Sequence, residues 1–473
     1  MFALAALSHL AQASEKTPTW ALSNEIDSIL RKQKLDHGDL GMFIALEETE
    51  PLFERNAKKL FIPASVTKLL TAGAVLQNFP PGTKFKTQLW ADSPIEENAL
   101  KGPLYLKGLG DPSFVSESLW VLVNNFIRTG IRRVDGDVLV DDSFFDRVRF
   151  DPSRQKERVD RAFDAPTGAM SFNWNSVNVY VRPGKKAGDP ARVFLDPEND
   201  YVHLDNAVRT AAGAIKADVS VDRKDGGDNG GDIIHVRGKI GLEADEAVVF
   251  KNINQPDLWS GYNLKSFLAQ RGIQIKGQVK AGSTPSSARL LAEVDSKPIE
   301  QVLADMNKFS NNYVAEMLTK HLGTLKAQPG SIANGVLVIR DFVQSLGLGP
   351  ADFSVVNPSG FTRENRLTAK ALWRILRFIQ NQFRVEPEFM VSLPIAGIDG
   401  TLKKRMRDTA AERWVRAKTG LLNSVVALAG FAGRKDGKVV PFVFLYNGSA
   451  DESRVRHVFD DVLVKVVENQ SGG

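Results

Sequence analysis

Apolar residues at helical or strand-like spacing mark the N-terminal end of the chain. The segment from Leu22 to Lys34 has its apolar residues on one helical face, and the runs Met42 to Leu46 and Leu52 to Phe53 have the composition of strands. A second helix is predicted after Pro63, because the residues from Ser65 to Leu76 are mostly apolar and favourable to helices. The pattern therefore places Ser65 at or near a helix N-terminus.

The C-terminal end has complementary elements. Helical spacing predicts helices near Ile299 to Phe309 and Asn311 to Leu322, and a final helix with its apolar positions between Val455 and Val466. The runs Ser424 to Ala432 and Val439 to Tyr446 predict strands. We therefore interpret the long middle segment as an insertion between two complementary ends.

The middle segment combines a short α/β part with a long β-rich part. Leu104 to Leu106, a helix near Ser118 to Arg128 and Asp137 to Val140 predict a compact β-α-β unit, whereas strand periodicity and glycine turns dominate from Ser171 to Gly282. The predicted division is residues 1–13 as a residual signal peptide, 14–80 and 286–473 as one α/β domain, 81–95 and 165–285 as an inserted β-rich domain, and 96–164 as a nested small α/β domain.

Composition narrows the function classes. The 473 residues are 43% hydrophobic and carry a net charge of +5, which fits a globular multidomain protein with weak attraction to polyanions such as a carboxylate-rich wall polymer. The sequence has no basic run with interleaved aromatic residues, so we predict no nucleic-acid binding. It has no cysteine, which excludes disulfides, thiolate nucleophiles and zinc-thiolate sites.

The first residues predict export. The run MFALAALSHLAQAS ends in Ala11-Gln12-Ala13, which has the small-x-small form of a signal-peptidase site, although the usual basic segment before it is missing. An ordinary N-terminal helix is the alternative interpretation. Since no other stretch has about 18 consecutive apolar residues, we predict no transmembrane anchor. The export signal predicts a protein outside the cytoplasm, and we expect it in the periplasm.

A serine and a lysine at helical spacing are the first candidates for chemistry. In Ser65-Val66-Thr67-Lys68 the amine lies beside the hydroxyl, and a buried amine can lose its proton and act as a general base. The pattern also occurs by chance about once or twice in a chain of this length, as a helix start followed by a solvated lysine. Histidine-based sites are not indicated, because the six histidines are scattered and neither G-x-S-x-G nor H-E-x-x-H occurs.

Two further triplets supply the other groups that a hydrolase needs. Ser310-Asn311-Asn312 lies at a predicted turn between helices and offers a hydroxyl for proton transfer and an amide for a substrate carbonyl. Lys418-Thr419-Gly420 precedes an apolar run, and its glycine permits close approach of a substrate to a strand. Each triplet alone is weak evidence, but their order and their predicted elements make the combination much stronger.

With these triplets, the chain resembles the class C low-molecular-mass penicillin-binding proteins, the D-alanyl-D-alanine carboxypeptidase/endopeptidase family, over nearly its whole length. Class A β-lactamases share the triplets but place the second a short way after the first, whereas here it follows by 245 residues. The resemblance implies a multidomain α/β fold, in which a transpeptidase/β-lactamase-like domain is interrupted by a β-rich domain and a nested small α/β domain. It extends to Gly108-Leu109-Gly110-Asp111-Pro112, Gly136 to Phe145, Asn307 to Leu318 and Leu393 to Leu402.

The resemblance also implies a mechanism on peptidoglycan stem peptides and cross-links. Ser65 attacks the carbonyl of the penultimate D-Ala to form an acyl-enzyme, and Lys68 takes its proton. Ser310 passes a proton to the leaving amine, while Asn312 orients the substrate amide. β-Lactams are expected as covalent inhibitors, no metal or organic cofactor is implied, and any association with the wall or membrane is expected to be peripheral.

The third triplet is expected to bind the end of the substrate. By the resemblance, Lys418 and Thr419 hold the terminal carboxylate beside Gly420, and the backbone N–H groups of Ser65 and Leu421 form the oxyanion hole. Leu421 departs from the family, which usually has a hydroxyl residue there that helps to hold the carboxylate. We therefore expect a substrate without a free carboxylate to be less disfavoured, which would favour cleavage of cross-links.

Two other segments are assigned by the resemblance alone. Asn357 to Gly360 stands where the family more often has an acidic residue before its Ser-Gly, and we expect a structural role for it. The family's inserted domain contributes an acidic residue that reads the free amine of diaminopimelate, and Asp160 and Glu157, near Phe163, are the candidates. Solvated surface charges are the alternative interpretation of both carboxylates.

Two other functions remain as alternatives. A β-lactamase-like hydrolase needs an efficient base for deacylation, which no triplet supplies. A catalytically inactive wall-binding scaffold is the alternative outside the enzymes, because inserted domains also form binding surfaces. Three intact triplets argue against the scaffold.

Overall fold

The computed structural model describes residues 19–35, 37–154, 158–227 and 230–469. The predicted signal segment, residues 1–13, and Glu157 therefore lie outside the described residues. In the part of the chain that the structure describes, no helix is long and apolar enough to cross a membrane.

The N-terminal region forms two strands of the main sheet and the helix that follows Ser65. Leu22, Ile26 and Leu30 are fully buried on one side of the first helix, which confirms the predicted amphipathic helix. The elements are α1 (Thr19–Lys32), β1 (Leu40–Glu47), β2 (Glu50–Arg55), β3 (Leu60–Phe61) and α2 (Lys68–Asn78).

The middle segment is rich in strands, as predicted, but it also contains a long helix that the sequence pattern did not indicate. The elements are β4 (Lys86–Ala91), β5 (Ile95–Glu96), β6 (Ala99–Leu100), β7 (Leu104–Gly108), α3 (Ser116–Ile127), β8 (Arg133–Val134), β9 (Val138–Asp141), β10 (Ser176–Arg182), β11 (Arg192–Asp196), β12 (Val202–Asn206), β13 (Arg209–Ala211), β14 (Asp218–Asp225), β15 (Asp232–Gly241), β16 (Ala247–Asn252), α4 (Pro256–Gln270), β17 (Gln274–Ile275), β18 (Val279–Ala281) and β19 (Arg289–Asp295).

The C-terminal region has the predicted helices, strands and final helix, together with three further helices. The elements are α5 (Ile299–Lys308), α6 (Asn312–Thr324), α7 (Ile332–Ser345), β20 (Phe353–Ser354), β21 (Arg366–Thr368), α8 (Ala369–Gln380), α9 (Glu386–Ser392), β22 (Val415–Leu422), β23 (Val425–Gly433), β24 (Val439–Asn447) and α10 (Glu452–Glu468).

The main sheet joins the two ends of the chain. Its strand order is β2-β1-β24-β23-β22, all antiparallel, and β1 pairs directly with β24. One face packs against α1 and α10, and the other packs against the helices around α2 and α8. Because β1, β23 and β24 are buried on both faces, their sequences are nearly continuous apolar runs. The structure thus has the predicted α/β domain with an antiparallel sheet flanked by helices.

Strand pairing in the insertion corrects the predicted boundaries. A second five-stranded sheet has the order β18-β9-β7-β4-β19, with the parallel pair β7 and β9 connected through α3. The predicted β-α-β unit is therefore present, but β4 and β18, assigned to the β-rich domain, and β19, assigned to the catalytic domain, lie in the same sheet. The α/β part encloses the β-rich part, which is the reverse of the predicted nesting.

The β-rich part consists of two small sheets. One has the order β11-β10-β16, and the other has the order β12-β15-β13, with β14 also paired to β15. The two inserted parts share one apolar core, in which Trp259 of α4 is fully buried and donates a hydrogen bond to the carbonyl of Phe172. The segment before β10 connects this core to that of the main domain, because Met170 and Phe172 belong to the shared core whereas Ala165 and Ala169 belong to the main domain's core.

Candidate active site

Ser65 lies in a tight turn that leads directly into α2. The turn is a 3-10 helix, Ala64–Thr67, and Lys68 is the first residue of the α-helix, so the predicted position of Ser65 is confirmed. Ala64 has a φ of +49°, a strained value for a residue with a side chain. The Thr67 hydroxyl donates a 2.8 Å hydrogen bond to the Ala64 carbonyl and fixes the turn. The strain falls on the residue before the candidate nucleophile.

Lys68 is buried, and its amine contacts three groups of the site. Its Nζ lies 3.0 Å from Oγ of Ser65, 2.8 Å from Oδ1 of Asn312 and 2.6 Å from the carbonyl oxygen of Ser359. Burial lowers the pKa of Lys68 to about 7, although the charge of Glu316 opposes the shift. An amine with this pKa is partly unprotonated at neutral pH and can accept the proton of the serine.

A second buried lysine contacts the second triplet. Nζ of Lys418 donates hydrogen bonds to Oγ of Ser310 (2.8 Å) and to the carbonyl of Thr419 (2.7 Å). Burial holds the pKa of Lys418 well below its usual value, and the nearby charge of Lys68 acts in the same direction. Ser310 has a φ of +56°, which turns the chain between α5 and α6 toward this lysine. The structure thus brings the three triplets together.

Both polar atoms of the Asn312 side-chain amide have hydrogen-bond partners. Its Oδ1 accepts the hydrogen bond from Lys68, and its Nδ2 donates a 3.0 Å hydrogen bond to the carbonyl of Phe163. The Phe163 ring is half exposed and packs edge-on against Phe361, with the ring centroids 5.6 Å apart. Phe163, which was predicted as a site residue, therefore lies at the site. Its carbonyl accepts the hydrogen bond from the Asn312 amide group that we expect to orient a substrate.

The Asn357 to Gly360 segment supports the nucleophile turn. Asn357 Oδ1 accepts hydrogen bonds from the backbone N–H and the hydroxyl of Ser359, whose carbonyl faces Lys68. Gly360 has a φ of +74°, and a Cβ there would lie 2.0 Å from the carbonyl oxygen of Ala64. The segment thus packs on the turn that carries Ser65 and also contacts Lys68.

A buried carboxyl group behind Lys68 was not predicted from the sequence. Glu316 lies one helical turn after Asn312 in α6, and Oγ of Ser359 lies 3.3 Å from its Oε1. Burial raises the pKa of Glu316 to about 8, neighbouring carboxylates add to the shift, and Lys68 opposes it. The group is therefore mainly protonated at pH 7. Its position in NKFSNNYVAEML was the only sequence signal.

The third triplet lies on the edge strand β22, beside the nucleophile turn. A Cβ at Gly420 would lie 2.8 Å from the carbonyl oxygen of Pro63, so this glycine permits the close approach. The Thr419 hydroxyl donates a 2.9 Å hydrogen bond to the hydroxyl of Thr401, and the Leu421 side chain is 47% exposed. Thr401 belongs to the segment LPIAGIDGTL, whose resemblance to the family was the available signal.

A cavity of about 330 Å³ connects these residues. Three of its polar lining residues, Thr401, Arg405 and Arg456, were not predicted. Arg405 and Arg456 lie outside every motif, so no pattern in the sequence indicated them. The predicted residues that line the cavity are Ser65, Ser310, Thr419, Gly420 and Leu421.

A larger cleft of about 730 Å³ begins at Ser310 and Asn312 and runs along the inserted parts. Exposed aromatic side chains line it, among them Phe163, Trp174 and Phe309. Trp174 has a φ of +51°, a strained conformation that presents a large apolar ring to the cleft. The cleft has room for a substrate segment longer than a dipeptide.

Asp160 takes part in an ion pair inside the β-rich part. Its Oδ2 accepts a 2.6 Å hydrogen bond from Nζ of the buried Lys251 and a 3.0 Å hydrogen bond from the backbone N–H of Arg223. Burial opposes its ionisation, but the hydrogen bond and charge of Lys251 outweigh burial and lower the pKa of Asp160. Asp160 lines neither cavity, and its role as the residue that reads the amine of diaminopimelate stays a prediction.

In the described part of the chain, no group of three or more histidine, aspartate and glutamate side chains has the geometry to hold a metal ion. The arrangement instead combines a serine hydroxyl, two buried amines, an amide and a second hydroxyl. This set of groups can perform nucleophilic acyl transfer with lysine as the base.

Comparison with known proteins gives consistent results. The family model described as D-Ala-D-Ala carboxypeptidase 3 (S13) matches residues 22–468. A D-alanyl-D-alanine carboxypeptidase from Actinomadura sp. (strain R39) is 31% identical over 486 residues, which cover 99% of this chain and 88% of that protein.

Solved structures show the same fold. Penicillin binding protein 4 (dacB) from Haemophilus influenzae matches with a TM-score of 0.78 and 23% identity, covering 93% of this chain and 98% of that chain. The same Haemophilus influenzae protein in complex with a β-lactam matches with a TM-score of 0.74 and 22% identity, covering 94% and 99% of the two chains. The predicted multidomain α/β fold class is confirmed.

Proposed function

The chain belongs to the D-Ala-D-Ala carboxypeptidase 3 (S13) family and is a serine D-Ala-D-Ala carboxypeptidase, and on that premise we propose that Ser65 carries its acyl-enzyme on peptidoglycan stem peptides. One observation carries the proposal: the buried Lys68 amine lies 3.0 Å from Oγ of Ser65, with a pKa of about 7. A serine hydroxyl is a weak nucleophile by itself, and this amine can accept its proton as the bond to carbon forms.

Acylation follows from this pair and from the second triplet. Oγ of Ser65 bonds to the carbonyl carbon of the penultimate D-Ala, and the serine proton passes to Lys68. The carbon–nitrogen bond then breaks, and the leaving amine takes a proton through Ser310, which Lys418 supports at 2.8 Å. Backbone N–H groups of Ser65 and Leu421 would hold the negative oxygen of the intermediate. Water then attacks the ester and releases the shortened peptide and free Ser65.

The two cavities give the substrate a direction. The terminal D-Ala leaves from the smaller cavity, which contains Thr419 and Leu421. The stem peptide extends from Asn312 into the larger cleft with the exposed aromatic side chains. For this to happen, the amide of Asn312 must exchange its hydrogen bond with the Phe163 carbonyl for one with the substrate.

Release of D-Ala tests the proposal. Wild type, Ser65→Ala and a control variant, Ser345→Ala on α7, are incubated with a peptide that ends in D-Ala-D-Ala, and free D-Ala is quantified. We expect release by the wild type and the control and none by Ser65→Ala, because the only step that Ser65→Ala lacks is acylation. Release by folded Ser65→Ala at the wild-type rate would contradict the assignment of the nucleophile.

We also propose that the enzyme cleaves cross-links, by the same acyl chemistry with the amine of a second stem as the leaving group. Leu421 offers no hydrogen bond to a carboxylate, so a leaving group other than a single D-Ala is less disfavoured. Rates on a pentapeptide and on a cross-linked dimer are compared in wild type and Leu421→Thr. We expect Leu421→Thr to raise the ratio in favour of the pentapeptide; a constant ratio would contradict the role of Leu421.

The location of the substrate indicates where the enzyme acts. Peptidoglycan lies outside the cytoplasm, so we place the enzyme in the periplasm, which fractionation of cells that produce the full chain can test.

A β-lactam carbonyl mimics the scissile amide, so we propose that β-lactams acylate Ser65 and inhibit the enzyme. The β-lactam complex of the Haemophilus influenzae protein with the same fold supports this expectation.

A further inference from the structure

Two arginines line the cavity that contains Ser65, Thr419 and Leu421. They are Arg405, which follows Thr401 in the chain, and Arg456, in the first half of α10. An arginine is charged at every physiological pH, and its planar group binds carboxylates through two parallel hydrogen bonds. A cavity that receives the carboxyl end of a substrate is therefore the place where such a group matters most.

The charge of Arg405 is already neutralised. Its Nη2 donates a 2.6 Å hydrogen bond to Asp460, and its Nε lies 3.1 Å from both carboxylate oxygens of the same residue. The same Nη2 also donates a 3.2 Å hydrogen bond to the backbone carbonyl of Arg456. Arg405 thus holds α10 in place and has no net charge left for a ligand.

Arg456 is different, because its terminal nitrogens are available. Its Nε donates a 3.2 Å hydrogen bond to the carbonyl of Glu452, and among the described residues none accepts a hydrogen bond from its Nη1 or Nη2. Glu452 in turn accepts a 3.1 Å hydrogen bond from the backbone N–H of Ser424, in the turn between β22 and β23. This contact ties the first turn of α10 to the strand that carries Leu421.

The other groups at this end of the cavity are poor partners for a carboxylate. Lys418 is fully buried, is bonded to Ser310 and to the Thr419 carbonyl, and burial holds its pKa well below the usual value. The Thr419 hydroxyl is engaged with Thr401, and Leu421 has no donor in its side chain. A substrate carboxylate therefore needs a cation from outside the three triplets.

We propose that Arg456 binds the free carboxylate of the substrate's terminal D-Ala through its Nη1 and Nη2, and that it thereby restores part of the preference for a free carboxyl end that Leu421 weakens. The inference rests on the proposed function, because it assigns one end of the same substrate. It also explains how a carboxypeptidase works with leucine at position 421. Arg456 supplies the interaction that a hydroxyl residue there would provide.

The test compares two peptides that differ only at the carboxyl end. One ends in D-Ala-D-Ala with a free carboxylate, and the other ends in the corresponding carboxamide. Hydrolysis is measured by chromatography as kcat/KM for wild type, Arg456→Ala, Arg456→Lys and Arg454→Ala, an exposed arginine on the same helix that does not line the cavity. Thermal unfolding of each variant shows whether it is folded.

We expect Arg456→Ala to lower kcat/KM for the carboxylate peptide by roughly 10- to 100-fold, the value of a charge-assisted hydrogen-bonded pair, and to change that for the carboxamide by less than about threefold. Arg456→Lys should recover part of the loss, since it restores the charge but not the paired geometry. Arg454→Ala should change neither rate.

Two other outcomes would overturn the inference, and they are distinguishable. Equal losses on both peptides, or no loss on either, would show that Arg456 does not bind the carboxylate, while the proposed function stands. Failure of the wild type to hydrolyse either peptide would overturn the proposed function and this inference with it.

Discussion

The pH dependence of acylation depends on the buried amine of Lys68. At pH 7, a lysine with the ordinary pKa of 10.5 is unprotonated in about 3 molecules in 10,000, whereas one with a pKa of about 7 is unprotonated in about half. Burial therefore raises the concentration of the general base more than about a thousandfold. The sign follows from the role of the base: acylation rises with pH as Lys68 loses its proton. We expect the rate at pH 5 to be about 50-fold below that at pH 7, and the rate to level off above pH 8.

The assay is the rate of acylation by a fluorescent penicillin, measured by rapid quench between pH 5 and pH 9. Lys68→Met is the matched variant, because methionine fills a similar volume and accepts no proton at any pH of the assay. It should acylate about 10²- to 10⁴-fold more slowly than wild type at pH 8, with no inflection near pH 7. Thermal unfolding at each pH shows that both proteins are folded. A wild-type profile that is flat from pH 5 to pH 8, or that rises only above pH 9, would refute the reasoning.

Three further substitutions test other parts of the account. Because the pKa of Glu316 is raised to about 8, this carboxyl carries little charge at the pH where Lys68 titrates, so Glu316→Gln should move the inflection of the acylation profile to lower pH by less than about half a unit; a shift of a full unit or more would contradict the protonation of Glu316. Gly360→Ala should lower the free energy of unfolding by at least about 3 kcal/mol and slow acylation, because the added Cβ would overlap the carbonyl oxygen of Ala64, the residue before Ser65. Wild-type stability of this variant in a denaturant titration would contradict the packing of Gly360 on the turn. Asp160→Asn should lower the free energy of unfolding by about 2–3 kcal/mol, because the buried Lys251 loses its ion-pair partner, and it should leave kcat/KM of the folded enzyme unchanged. A selective loss of kcat/KM on diaminopimelate peptides would instead support the predicted role of Asp160 in binding diaminopimelate.

The sequence predicted those parts of the site that local chemistry determines. Ser65 and Lys68 are three residues apart on a helical turn, so their contact follows from helix geometry alone. The approach of Ser310 and Lys418 involves residues far apart in the chain, and it was predicted only because the triplets matched a known family in order. Several helices and strands of the main domain were predicted because their apolar residues have a helical period or form a continuous run, whereas α7, α8 and α9 were not predicted.

The remaining features depend on contacts that no local pattern encodes. Helix α4 was not predicted because its buried face includes the polar or small residues Ser260, Gly261 and Asn263, so its apolar residues show no helical period. The nesting of the insertion depends on β4 and β19 pairing across about 200 residues of chain, which strand propensity does not specify. Arg456 and Asp160 both lie in stretches of the sequence rich in charged residues, so no local pattern predicts which partners each side chain has.

The central claim is that Ser65 forms an acyl-enzyme, and the intact mass of the protein after incubation with a fluorescent penicillin tests it most directly. The account predicts one stoichiometric adduct on the wild type, none on Ser65→Ala, and the label on the peptide that contains Ser65 after proteolysis. An adduct of the same stoichiometry on Ser65→Ala, or no adduct on folded wild-type protein, would contradict it.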